Sequence, residues 1–213
     1  MTAGDAADWN NLFVEQLIPS VLALALDAWE RIQRPAPDEQ EDATSVRLYS
    51  AMITGKDRQR HAFLIRYQDL EVDTDLAKVT GRKDIVFFPA GNDEDIYLCL
   101  EAKRLNACVS GIRRSLASEY VKEGMQRFVD GKYSRHVRHG GMLGYVLDGD
   151  MGRAMKNVAE AVRRHHRKLR MEPPGKMHAS RVRPRDAHAR ETSHKRRGDR
   201  ALFRIHHLFV SGV

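Results

Sequence analysis

A lone acid followed by Glu-x-Lys is the part of this chain that could do chemistry. Asp84 lies in Lys83-Asp84-Ile85-Val86-Phe87-Phe88, and Glu101-Ala102-Lys103 closes the run from Ile96 to Lys103. Side chains on a strand alternate between faces, so Tyr97, Cys99, Glu101 and Lys103 share one face and Ile96, Leu98, Leu100 and Ala102 the other. The intervening Pro89-Ala90-Gly91-Asn92-Asp93-Glu94-Asp95 is rich in turn residues. A hairpin folded about its centre brings Asp84 level with Glu101, because both lie about equally far from the turn. Two carboxylates and one ammonium then converge. Mg²⁺ is a hard cation commonly held by one or two protein carboxylates together with substrate phosphate oxygens. Asp84 and Glu101 suit that role, with the Ala102 carbonyl as a further ligand. A metal lowers the pKa of its bound water and neutralises charge growing on phosphorus, while a lysine placed as Lys103 orients the water or stabilises the transition state. Those residue types point to metal-assisted hydrolysis of phosphodiesters. The alternative is an ordinary solvated hairpin in which Lys103 pairs with a nearby acid.

The elements that must position these residues are also legible. Glu41 to Ile53 reads as a helix with Leu48, Tyr49 and Met52 on one face and Glu41 at its start on that face. Glu41 is the candidate for an additional acid, with Asp42 and Glu39 close behind; an acid favoured by the helix dipole is the competing explanation for each. A strand follows as His61 to Tyr67, and the hairpin supplies two more. Ser115 to Val129 carries Leu116, Tyr120, Met125, Phe128 and Val129 at helical spacing, closed by Gly131. Gly141 to Leu147 reads as a short buried strand.

Asp84, Glu101-Ala102-Lys103 and this order of elements resemble the PD-(D/E)xK nuclease superfamily, over roughly Glu39 to Leu147. The resemblance implies an α/β fold with a restriction-endonuclease-like αβββαβ core, its mixed central sheet flanked by helices. It further implies a Mg²⁺-dependent nuclease, with Mn²⁺ able to substitute. Asp84 would stand at the family's first acid, Glu101 and Lys103 at its Glu-x-Lys, and Glu41 at the acid often found on the first helix. Glu119 to Phe128 with Gly131-Lys132-Tyr133 is similar to the second helix of some members; Tyr120 reads as core and Lys132 as at most a phosphate contact. A bacterial restriction or anti-phage setting, with a homodimer or a partner protein of a defence system, follows from the same analogy.

Composition sets the outer bounds. The chain of 213 residues can bury a core without disulfides, and its two cysteines, Cys99 and Cys108, form no zinc or disulfide framework. Asp5 and Asp8 occupy the start where a secretory signal would be basic, and the apolar run Val21 to Leu26 is too short to span a bilayer. A cytoplasmic protein with no membrane partner is the expectation. Trp9, Leu12, Phe13, Leu17, Val21, Leu24, Ala28, Trp29 and Ile32 recur at helical spacing, with Pro19 marking a kink or the start of a second helix. That stripe reads as core packing, with a dimer interface as the sharper alternative. Pro35 to Gln40 reads as a short stiff linker.

The net charge of +7 is unevenly distributed: residues 151–213 hold 17 Lys and Arg against 5 Asp and Glu. Arg163, Arg164, Arg167 and Lys168 fall on a helix starting near Asp150, and Arg181, Arg183, Arg185, Arg190, Lys195, Arg196, Arg197 and Arg200 follow in a Pro- and Gly-containing segment. Such a field attracts phosphate backbones without sequence preference. Nucleic acid, DNA first, is the expected partner, with Arg163, Arg164, Arg167, Lys168, Lys195, Arg196 and Lys132 as contacts. A solvated tail is the alternative. Ala201 to Val210 reads as a further strand, returning the tail to the sheet. His165-His166 and His206-His207 lack zinc-site spacing, and Gly140-Gly141-x-x-Gly144 lacks the ending of a Walker loop. The expected organisation is a helical extension over 1–38, a nuclease core over 39–150 and a basic segment over 151–213 packed on it. Two rivals are a non-catalytic nucleic-acid-binding or complex-forming subunit with a degenerate nuclease fold, and a structural domain whose tail docks an acidic protein.

Overall fold

The computed structural model describes residues 6–59, 61, 63–73, 77–89, 95–198 and 201–213. Helices α1 (Ala6–Arg31) and α2 (Glu41–Gln59) precede a meander of three strands, β1 (Phe63–Asp73), β2 (Lys78–Pro89) and β3 (Leu98–Leu105). A small hairpin, β4 (Ala107–Val109) and β5 (Ile112–Arg114), leads into a helical segment of three parts. These are α3 (Ala117–Glu119), a π-helical stretch (Tyr120–Met125) and α4 (Gln126–Val129). Strand β6 (His139–Val146), helix α5 (Met151–His165) and strands β7 (His178–Ala179), β8 (Ala189–His194) and β9 (Phe203–Ser211) complete the chain.

Among the described residues, seven strands form one mixed sheet in the order β1-β2-β3-β6-β9-β8-β7. The β1/β2 and β2/β3 pairs are antiparallel, β3/β6 and β6/β9 parallel, and β9/β8 and β8/β7 antiparallel. Alternation along the strands separates two cores. Leu98, Leu100 and Ala102 join Phe63, Ile65, Ile85 and Phe87 beneath α1 and α2. Tyr97 and Cys99 join Val86, Phe88 and the apolar side of the 117–129 segment and α5. The chain is thus a mixed α/β protein with helices on both faces of its sheet.

Helix α1 runs through Pro19 as a single element. Its stripe is core: Ile18, Val21, Leu24, Ala28 and Trp29 are buried, Trp29 stacks on Tyr145 at 5.2 Å, and its Nε1–H donates to the Ser211 carbonyl at 2.9 Å. The side chains of Trp9, Leu12 and Phe13, the loop residues 90–94, and Ala62 and Arg200 lie outside the described residues. Helix α5 begins where expected, because Asp150 caps it by accepting from the Arg153 N–H at 2.9 Å. The glycines of β6 serve packing: a Cβ on Gly140 would strike the Phe128 ring, and one on Gly141 the Leu100 side chain. Among the described residues, no helix is long and apolar enough to cross a membrane.

The structure departs from expectation mainly in the basic C-terminal segment, which adds β7 and β8 as well as the expected final strand. The helix expected over Ser115 to Val129 contains the π-helical stretch, a feature often found next to functional sites.

Candidate active site

Ile85 pairs with Leu100 across β2 and β3, which sets Asp84 and Glu101 at the next position of the ladder. Asp84 is half-buried, and its Oδ2 accepts from the Ala102 N–H at 2.8 Å. Glu101 has no exposed surface at all, with a relative accessibility of 0%. Its Oε1 accepts from Arg127 Nη1 at 2.7 Å and lies 3.0 Å from Lys103 Nζ. The other oxygen, Oε2, is buried and has no hydrogen-bond partner among the described residues.

Lys103 ties the strands to α2. Its Nζ donates to Glu41 Oε1 at 2.9 Å and to the Ala102 carbonyl at 2.6 Å. Glu41 Oε2 accepts from the Arg104 N–H at 3.2 Å, so the first residue of α2 is clamped to β3 through both oxygens. Asp42 and Glu39 take different positions. Asp42 is exposed at the cavity margin, while Glu39 accepts from Thr44 Oγ1 at 2.6 Å and pairs with Arg47. Of the three acids considered at the start of α2, Glu41 is the one that meets the lysine.

Burial raises the Asp84 carboxyl to about 6, against the opposing pull of Lys103. Burial, then the neighbouring Asp84, raises Glu101 to about 7 despite Lys103 and Arg127. For Lys103 burial works against the charge, but Glu101 and Glu41 outweigh it and hold the ammonium protonated. Lys103 is therefore a donor of positive charge and hydrogen bonds and cannot act as a base near neutrality.

Arg127 and Tyr133 belong to the site; the resemblance to a second helix covers both but assigns neither a role. Arg127 Nη1 also donates to Tyr133 Oη at 2.9 Å, and Tyr133 Oη donates to the Arg82 carbonyl at 2.7 Å, binding α4 to β2. A residue reached by folding a helix across two strands leaves no local signal that assigns it a partner. The π-helical stretch comes very close to the lysine: a Cβ on Gly124 would meet the end of Met142 and lie 3.6 Å from Lys103 Cγ. Glu41, Asp84, Glu101, Lys103, Arg127 and Tyr133 line a cavity of about 380 Å³, with Lys122, Gln126 and Lys132 also on its lining.

The expected nucleic-acid contacts divide. Arg163, Arg164, Arg167 and Lys168 are exposed at the end of α5, where burial and then the charge of Lys122 depress the pKa of the adjacent His165. That places the basic end of α5 near a residue of the cavity margin. Lys132 is exposed between α4 and β6. Lys195 is exposed and pairs with Glu172 at 3.0 Å. Arg196 departs from its expected role as a phosphate contact. It is buried, and its guanidinium donates to the carbonyls of Ser134 at 2.7 Å, Tyr133 at 2.9 Å and Val137 at 3.2 Å. Arg196 builds a turn.

Among the described residues, no three His, Cys, Asp or Glu side chains are grouped as a metal site. Lys103 stands between Glu41 and Glu101, so two carboxylates, Asp84 and Glu101, are what the strands offer a cation. The unanswered Glu101 Oε2 fits that use, since a buried carboxylate oxygen without a donor is costly unless something positive meets it. The Ala102 carbonyl, expected as a further ligand, already accepts from Lys103. Comparisons with protein-family models, curated proteins and solved structures found no match to this chain.

Proposed function

We propose that the chain is a metal-dependent nuclease of the PD-(D/E)xK kind. The observation that carries this reading is the buried Glu101, with one oxygen unanswered, set beside Asp84 and bridged to Glu41 by Lys103. The order of elements supports it. A helix, a three-stranded antiparallel meander, a helical segment and a strand parallel to β3 reproduce the αβββαβ order that the resemblance implies.

Asp84 and Glu101 would hold the metal, which when bound supplies a water of lowered pKa and neutralises charge at the phosphorus. Lys103, held protonated by its acids, donates to the attacking water or to a phosphate oxygen as charge develops there. Glu41 fixes the direction of that ammonium. Arg127 offsets the second charge of the carboxylate pair, and Lys122 and Lys132 at the cavity margin suit the flanking phosphates.

A binding subunit with a degenerate site is the second reading. It is favoured by one observation, that Lys103 and Arg127 already engage Glu101 Oε1 in an ion-pair network needing no ligand. Plasmid DNA, single-stranded DNA and RNA incubated with Mg²⁺ or Mn²⁺ separate the two. Cutting that stops with EDTA and in Lys103→Ala is the expected result. Salt-sensitive binding without cutting of any substrate selects the binding subunit instead.

A further inference from the structure

Beyond the cavity lies a larger groove of about 970 Å³, and the two share Asp130 and Lys132 as lining residues. We propose that this groove binds a single strand of nucleic acid flanking the scissile phosphate, an inference that rests on the nuclease reading.

One wall is the turn that follows α4, and it is firmly built. Arg196 holds the carbonyls of Tyr133, Ser134 and Val137 from inside, and Tyr97 Oη accepts from the Ser134 N–H at 2.8 Å. The turn presents Lys132, Arg135 and His136 outward, and Arg197 is exposed beside them. The acids of the groove are largely offset within the protein. Lys83 pairs with Asp69 at 2.9 Å and with Glu71 at 2.7 Å, and Arg170 lies 3.5 Å from Asp130. Lys132, Arg135 and Arg197 form no ion pair among the described residues. A rigid turn carrying uncommitted cations is suited to a phosphate backbone.

The same groove is lined by Leu70 and Val72 of β1, which are 54% and 51% exposed. Apolar side chains in a basic groove match unstacked bases beside their phosphates. A duplex keeps its base faces inside the stack and gains nothing from them.

The test is binding of a fluorescent single-stranded oligonucleotide and its duplex to the Lys103→Ala protein, which removes cleavage, over a salt series. The single strand should bind more tightly. Arg135→Ala with Arg197→Ala should lower the slope of log K against log salt by about 1.4, at about 0.7 for each phosphate left without its cation. Leu70→Ser with Val72→Ser should weaken single-strand binding and leave the slope unchanged. Equal or tighter duplex binding, or a slope that falls only when Arg163, Arg164, Arg167 and Lys168 are neutralised, overturns the proposal while leaving the nuclease reading intact. Groove-dependent binding by a wild-type protein that never cuts would overturn the nuclease reading and keep the groove.

Discussion

On β8 and β9 a buried chain of neutral groups spends every proton it has, whereas on β2 and β3 a buried cluster keeps charges and leaves an oxygen unanswered. In the first, His194 Nδ1 can only donate to the Leu169 carbonyl, at 2.7 Å. A neutral His194 then accepts at Nε2 from Thr192 Oγ1 at 2.7 Å, Thr192 accepts from His207 Nε2 at 2.9 Å, and His207 Nδ1 accepts from Tyr120 Oη at 2.9 Å. One carbonyl thus sets both tautomers and every donor in the chain. In the second, Glu101 holds Lys103 and Arg127 on Oε1 and, among the described residues, nothing on Oε2. On the proposed reading, the difference separates a polar cluster that specifies a fold from one built to meet a metal.

Substitutions sharpen that contrast. Asp84→Ala or Glu101→Ala should reduce cleavage by about 10²–10³-fold or more, as when a transition-state-stabilising group is removed, with the protein still folded by circular dichroism. His207→Leu should act the other way, on the fold. It strands the Tyr120 hydroxyl donor and an acceptor on Thr192, costing about 2–5 kcal/mol in urea unfolding. Were His207→Leu instead neutral for stability and damaging to cleavage, the division between the two clusters would fail.

Acidity divides them again. Asp84 and Glu101 have folded pKa values of about 6 and about 7, above the ordinary 3.8 and 4.5. Their contribution to stability is therefore full below those ordinary values and lost as pH rises through the folded ones, by about 1.4 kcal/mol per unit of displacement. His194 is depressed by burial to about 4 from 6.5, so its contribution is present above 6.5 and lost as pH falls towards 4. Melting temperatures of the wild type and of Asp84→Asn with Glu101→Gln, followed over that range, should show the first trend only in the wild type and the second in both. The smallest effect belongs to the surface. Lys195→Ala breaks an exposed pair with Glu172 and should change stability by less than about 1 kcal/mol.

How much of the molecule is legible in its sequence follows from the range of the interactions involved. Alternation along Ile96 to Lys103 and a turn-rich loop are local, so the facing of Asp84 and Glu101 can be derived, and helical spacing places Glu41 at the head of α2. Arg127 reaches Glu101 only because α4 packs over the sheet, and the resemblance of its segment to a second helix says nothing of that contact. Strand β8 is hidden for a different reason. Its buried positions include Glu191, Thr192 and His194, polar residues that a hydrophobic pattern assigns to solvent. They are inside because Arg181 meets Glu191 at 3.0 Å and the histidine chain satisfies the others. Arg196 is hidden in the same way, since three backbone carbonyls bury a guanidinium that its basic neighbours make look solvated.

Calorimetric titration of Mn²⁺ into the wild type and Glu101→Gln, near the Glu101 value of about 7, tests most directly whether the unanswered carboxylate exists to meet a metal. Binding by the wild type with release of protons, seen as heat that varies with the buffer, and loss of that binding in Glu101→Gln is the predicted result. Equal binding by both proteins, or none by the wild type, would contradict the account.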